Sequence, residues 1–291
     1  MSATTLAGRR IQRMNGAGNR ILVLDLRGAS AAPSPAEARA IHRAPGLAYD
    51  QMMALMSPRA AGTAAFVLIY NNDGSLAGAC GNGTRCVADR LARELGVASL
   101  AVETQAGVIG CERLGPWSYR IDMGPPRLGW RDIPLAHAVE DTARVSLAWA
   151  EGDPLAALGP AATASMGNPH AAFFLSDLER VDAAGSGARI EVHPMFPEKV
   201  NVTFARIDAP DALSAVVWER GVGLTLACGS AACAAVVSGV RLGRLARRAA
   251  VRLPGGELVI EWRETDRVLM TGPVEFEAEF VLDAALFEAA A

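Results

Sequence analysis

The stretch Asn71-Asn-Asp-Gly-Ser-Leu-Ala-Gly-Ala-Cys80-Gly-Asn-Gly-Thr-Arg-Cys86 has a shorter echo in Thr225-Leu-Ala-Cys228-Gly-Ser-Ala-Ala-Cys233. Both read Ala-Cys-Gly, then Asn or Ser, then small residues and a second cysteine. Cys80 and Cys228 stand 148 positions apart. A second pair repeats at nearly the same offset. Gly18-Asn19 precedes the apolar run Ile21-Leu-Val-Leu-Asp25, Gly167-Asn168 precedes Ala171-Ala-Phe-Phe-Leu175, and Asn19 and Asn168 are 149 apart. Two matched features at one spacing point to a duplicated domain.

Outward from these turns the chain reads mainly as strands. Residues 66–70 form a short apolar run that ends at Asn-Asn-Asp-Gly, a strong turn signal. Residues 100–104, 119–123, 214–218, 258–262 and 268–270 alternate in polarity as half-buried strands do. Helices are expected at 35–43, 49–56, 84–95 and 231–242. The class is α+β, with two similar halves. Gly124-Pro-Pro126 divides them into 1–126 and 127–274, and a C-terminal strand within 275–291 rejoins the first half.

Composition narrows the function. The chain has 291 residues, 51% hydrophobic and 20% charged, with a net charge of -3. That suits a folded domain pair and offers no field to hold a polyanion, so no nucleic-acid partner is expected. Lys199 is the only lysine, so a pyridoxal-phosphate Schiff base has one candidate at most. Five cysteines and no signal-peptide pattern point to free thiols in a reducing cytoplasm. The uncharged stretch 221–240 has 20 residues, but its Gly, Ala and Ser content reads as strand, tight turn and buried helix, not as a membrane span.

A cysteine just before a helix faces the first free N–H groups and the positive end of the macrodipole. Thiolate is thereby favoured, and the pKa is expected to fall from about 8.5 towards neutrality. The amides of Gly81 and Asn82, and of Gly229 and Ser230, make a carboxylate site beside each thiol. Two such turns, one per half, suit inversion at a carbon, where a base removes a proton from one face and an acid returns one to the other. Other readings stay open for the cysteines. Cys86, Cys111 and Cys233 read as packing residues. A four-cysteine zinc site is disfavoured because the pairs lie six and five apart, spacings that point apart on a helix. A disulfide between Cys80 and Cys228 would be an off-state.

The two long motifs, Asn71-x-Asp-Gly-Ser-x-Ala-x-x-Cys80-Gly-Asn-Gly-x-Arg-Cys and Glu219-Arg-Gly-x-Gly-x-Thr-x-Ala-Cys228-Gly-Ser, resemble the signatures of the diaminopimelate epimerase family. Gly16-x-Gly-Asn19, Met166-Gly-Asn-Pro-His170 and Val200-Asn201-Val match its smaller motifs in order. The resemblance implies two pseudo-twofold-related domains, each a mainly antiparallel sheet around a central helix, with the active site in the cleft between them. It implies a cytoplasmic, homodimeric enzyme that needs no metal or other cofactor. Its substrate would be diaminopimelate, LL and meso forms being interconverted for lysine and peptidoglycan precursors. Carried over by position, Cys80 and Cys228 are the acid/base thiols. Asn19, Gln51, Asn71, Gly81, Asn82, Asn168, Asn201, Glu219, Arg220, Gly229 and Ser230 bind substrate, with Arg220 forking onto the distal carboxylate. His170 assists proton transfer.

Departures from the family pattern are Leu224 in place of Glu, Ala231 in place of Gly, and Arg20-Ile21 in place of Asp-Phe. Competing expectations are a proline or hydroxyproline racemase or epimerase of the same fold, an amino-acid binding protein without catalysis, and a disulfide-switched sensor.

Overall fold

The structure is a computed structural model that describes residues 6–288. Residues 1–5 and 289–291 of the expected first half lie outside the described residues. The chain forms two compact units, one of residues 1–121 and 272–291, the other of residues 122–271.

In chain order the first unit contains β1 (Arg10–Gly16), β2 (Asn19–Asp25), α1 (Pro35–Arg43), β3 (Gln51–Met56), β4 (Phe66–Asn71), β5 (Leu76–Ala77), α2 (Gly81–Leu95), β6 (Ser99–Thr104), β7 (Gly107–Gly115) and β8 (Ser118–Asp122). The second contains β9 (Ala162–Ser165), β10 (Pro169–Phe174), α3 (Ala183–Glu191), β11 (Asn201–Ala209), β12 (Ala212–Glu219), β13 (Gly223–Thr225), α4 (Gly229–Arg241), β14 (Arg248–Leu253), β15 (Gly256–Trp262) and β16 (Val268–Pro273). The chain then returns to the first unit as β17 (Glu275–Val281), which runs antiparallel to β1 from Arg10–Val281 to Asn15–Glu275.

The pairing repeats strand for strand. β1 and β2 are antiparallel, as are β9 and β10. β2 then lies parallel to β3 and β10 parallel to β11, each across a helical connection, α1 and α3. β3–β4–β5 and β11–β12–β13 are antiparallel. β4 meets β6, and β12 meets β14, in parallel, with α2 and α4 in the crossovers. Each of these long helices packs on the strands of its own unit, α2 on β1, β2, β3, β6 and β7, and α4 on β9, β10, β11, β14 and β15.

Both central helices are buried on nearly every side. That explains the small residues Ser230-Ala-Ala-Cys-Ala-Ala of α4, since a sheet that wraps a helix leaves little room for branched side chains. Val87 and Leu91 of α2 are fully buried, worth roughly 1.5–3 kcal/mol each. Gly96, with φ 68°, ends α2 in the left-handed conformation that suits glycine.

One expected helix is a strand. Residues 51–56 form β3, not the end of a helix over 49–56. Met52 to Leu55 are completely buried because β3 runs between β2 and β4 with both faces covered. A strand buried on both faces carries an unbroken apolar run, and such a run has no period to separate it from a helix. Among the described residues, no helix is long and apolar enough to cross a membrane.

Candidate active site

In the first unit, Cys80 is the N-cap of α2, with extended backbone, and its Sγ accepts a hydrogen bond from Gly83 N–H at 3.2 Å. The Cys80 thiol donates to Gln51 Oε1 at 3.0 Å, and Asn19 Nδ2 approaches the same oxygen at 3.5 Å. Asn19 stands at the start of β2 and Gln51 at the start of β3, so two strand ends and a helix start converge on the thiol. The β1–β2 hairpin brings Gly16 against Asn82. A Cβ at position 16 would lie 3.0 Å from the Asn82 carbonyl oxygen, a close approach that glycine permits. A Cβ at Gly83 would fall well inside contact distance of the Met53 thioether. Asn71 is spent locally, its Nδ2 on Ser75 Oγ at 3.0 Å within the β4–β5 turn.

In the second unit, Cys228 is the N-cap of α4. Its Sγ lies 3.5 Å from Ser230 Oγ, which accepts from Asn168 Nδ2 at 3.4 Å. Asn168 Oδ1 in turn sits 2.9 Å from His170 Nε2. With the Asn168 amide facing Ser230, this assigns the proton to His170 Nε2, leaving Nδ1 bare in a buried position. Glu219 accepts from Thr225 Oγ1 at 2.6 Å, and its carboxylate is close enough to act on the Cys228 thiol. Asn201 Oδ1 receives the Arg220 backbone N–H at 3.0 Å while its Nδ2 donates to the Pro169 carbonyl. Arg220 Nη1 reaches the Glu198 carbonyl at 2.9 Å.

One expectation changes, and a second residue is found in a defined protonation state. Cys228 was expected to ionise easily; instead burial first, and the Glu219 carboxylate second, push its thiol well up, outweighing the Ser230 hydroxyl. His170 was expected to assist proton transfer. Burial, and then the Arg220 charge, depress it to about 3, so it stays neutral, with Nε2 against Asn168 Oδ1. Burial also pushes Cys86 and Cys111 up to about 12, in keeping with packing roles.

The sequence reading missed Thr225, Met53 and Glu191. Thr225 stands inside the second quoted motif, three residues before Cys228, and alternation along β13 marks it. Met53 has no signal of its own, because only the packed structure sets it against Gly83.

Two sheet-wrapped units, each with a cysteine capping its central helix, define a duplicated epimerase-type fold. A predicted epimerase from Pseudomonas aeruginosa shares it with a TM-score of 0.68 at 16% identity, covering 94% of this chain and 99% of that one. A hydroxyproline epimerase from Agrobacterium vitis does so with a TM-score of 0.66 at 15% identity, covering 94% and 93%. Those likenesses concern the fold. Residues 13–129 and 162–277 match the family described as diaminopimelate epimerase. The diaminopimelate epimerase of Methylocella silvestris is 51% identical over 287 residues, which span 98% of this chain and 99% of that protein. The chain belongs to the diaminopimelate epimerase family.

Proposed function

We propose that this isomerase interconverts LL- and meso-diaminopimelate, with Cys80 and Cys228 as the two acid/base groups, one for each face of the α-carbon. The observation that carries the reading is the matched pair of cysteines at the N-cap positions of α2 and α4, each at the positive end of a helix, where a carboxylate is favoured. In each direction one cysteine must be thiolate and the other thiol, and burial with the Glu219 carboxylate favours the thiol at Cys228. In the reverse direction the roles exchange. Negative charge that develops on the reacting carboxylate is met by the amides of Gly81 and Asn82 and of Gly229 and Ser230.

Arg220 binds the distal carboxylate, and Asn19, Gln51, Asn82, Asn168, Asn201 and Glu219 serve the remaining polar groups. Asn71 acts through the β4–β5 turn. The protein works as a cytoplasmic homodimer without a cofactor and supplies lysine and peptidoglycan precursors. The test is epimerisation of LL-diaminopimelate, measured against L-proline and 4-hydroxyproline. Turnover of diaminopimelate alone supports the reading. Turnover of the cyclic amino acids instead would transfer the assignment to a proline-type racemase.

A further inference from the structure

Glu191 closes α3, and only 6% of it is exposed. Its carboxylate gathers donors from both sides of one dipeptide. Trp218 Nε1–H donates to Oε2 at 2.7 Å and Gly221 N–H to Oε1 at 3.0 Å. Between these two anchors stand Glu219 and Arg220. Lys199 Nζ lies 3.3 Å from Oε1 and balances the charge. The turn is tightened by Val222 N–H on the Glu219 carbonyl at 3.0 Å and by the left-handed Gly221, φ 76°. Gly187 of α3 packs so closely on Trp218 that a Cβ there would come within 2.6 Å of the Trp218 Cβ.

We propose that Glu191 is a positioning residue, a carboxylate that clasps the chain at 218 and 221 and so fixes the direction in which Glu219 and Arg220 meet the substrate. This rests on reading Arg220 and Glu219 as substrate-binding groups. The chemistry favours a carboxylate over its amide. Every neighbour is a donor, and a glutamine would turn an NH2 towards one of them. Burial works to raise the Glu191 pKa, but the Trp218, Gly221 and Lys199 bonds outweigh it and hold the group below the usual carboxylate range, ionised at neutral pH. Arg220 also bonds to Asn201 and Glu198, contacts that do not pass through Glu191.

The experiment is steady-state kinetics with LL-diaminopimelate on wild type, Glu191→Gln, Trp218→Phe and Lys199→Met, with thermal melts alongside. Glu191→Gln is expected to raise KM about tenfold with a much smaller change in kcat, Trp218→Phe about threefold, and Lys199→Met less than about twofold. A folded Glu191→Gln enzyme with unchanged KM overturns the proposal, as does one whose only defect is a smaller active fraction. If Glu191→Gln does not fold, an unchanged KM in Trp218→Phe overturns it instead. A wild type that inverts no diaminopimelate overturns the functional reading and this proposal together, whereas an active wild type with unaffected variants overturns this proposal alone.

Discussion

Cys80 and Cys228 cap equivalent helices in equivalent crossovers, yet they sit in different company. Strand register gives the correspondence. Gln51 pairs with Ile21 on the parallel neighbour, and Asn201 pairs with His170 at the same place in the second unit. Asn71 lies opposite Gln51, and Glu219, the residue after the Trp218–Val202 pair, holds the matching end of β12. The first unit therefore presents Asn19, Gln51 and Asn71, all neutral amides. The second presents Asn168 and Asn201 together with an imidazole, a carboxylate and, one residue on, a guanidinium. Both units share the backbone device that holds a thiol at a helix start, while the side chains around it differ, uncharged in the first and charged in the second. A zwitterion with two carboxylates and two amines needs both kinds of surroundings, amides to orient it and full charges to anchor one end.

The charged half should matter most. Arg220→Met is expected to lower kcat/KM by about 30- to 1000-fold, the range for removing one member of a desolvated charge contact. Asn71→Ala in the neutral half is expected to lower it by about tenfold or less, because its amide serves a turn. Equal losses would erase the distinction between the halves.

The next effect is on stability. In the first unit Met53 lies beside Gly83, and the matching positions in the second are Thr203 and Ala231, so bulk on the strand is exchanged for bulk on the helix. Gly83→Ala should cost about 1–3 kcal/mol by overpacking, seen as a lower Tm, and Met53→Thr should restore most of it. Ala231→Gly should cost only about 0.5–1 kcal/mol through helix entropy. Failure of Met53→Thr to rescue would show that the clash lies elsewhere.

Acid stability separates the halves more gently. An unfolded histidine takes up its proton near 6.5, but folded His170 does so only at about 3, so the unfolded chain holds the extra proton in between. The contribution is complete above about 6.5 and drains away as pH falls towards about 3. Denaturant midpoints measured from pH 7 to 4 should fall less in His170→Gln than in the wild type. Identical slopes would show that His170 is not held neutral.

The smallest contrast is in reactivity. Cys80 is half-buried, whereas Cys228 is 7% exposed with a raised pKa, so iodoacetamide at pH 7.5 should label Cys80 first, as read by peptide mass spectrometry. Earlier labelling of Cys228 would contradict its buried, protonated state.

Much of this architecture was legible in the sequence, and the parts that were not have physical reasons. The helices after the two cysteine turns were legible because Val87-Ala-Asp-Arg-Leu-Ala-Arg-Glu-Leu95 and Ala231-Ala-Cys-Ala-Ala235 are rich in good helix formers, and the uncharged stretch 221–240 resolved into strand, turn and α4. β3 was misread because complete burial removes the polar half of a strand's alternation. α3 was overlooked because Ala183-Ala-Gly-Ser-Gly is a poor helix former, held by the Asp182 cap on Gly185 N–H. The repeat itself contained the missing information, since α1 shifted by 148 positions falls on residues 183–191. At the site, residue identities could be read in advance, but burial could not, and burial decides the states of Cys228 and His170. Leu224 stands 50% exposed on β13, which leaves its departure from the family's glutamate without a packing explanation.

The central claim, that two separate thiols exchange protons with one stereocentre, is tested most directly by running LL-diaminopimelate to low conversion in deuterium oxide. Both amino acids are then recovered, and label is measured at the inverted carbon. Two thiols predict meso product that carries deuterium there from its first appearance while remaining LL substrate is still protiated. Product that retains the original hydrogen, or label that enters substrate and product equally from the outset, would contradict the account.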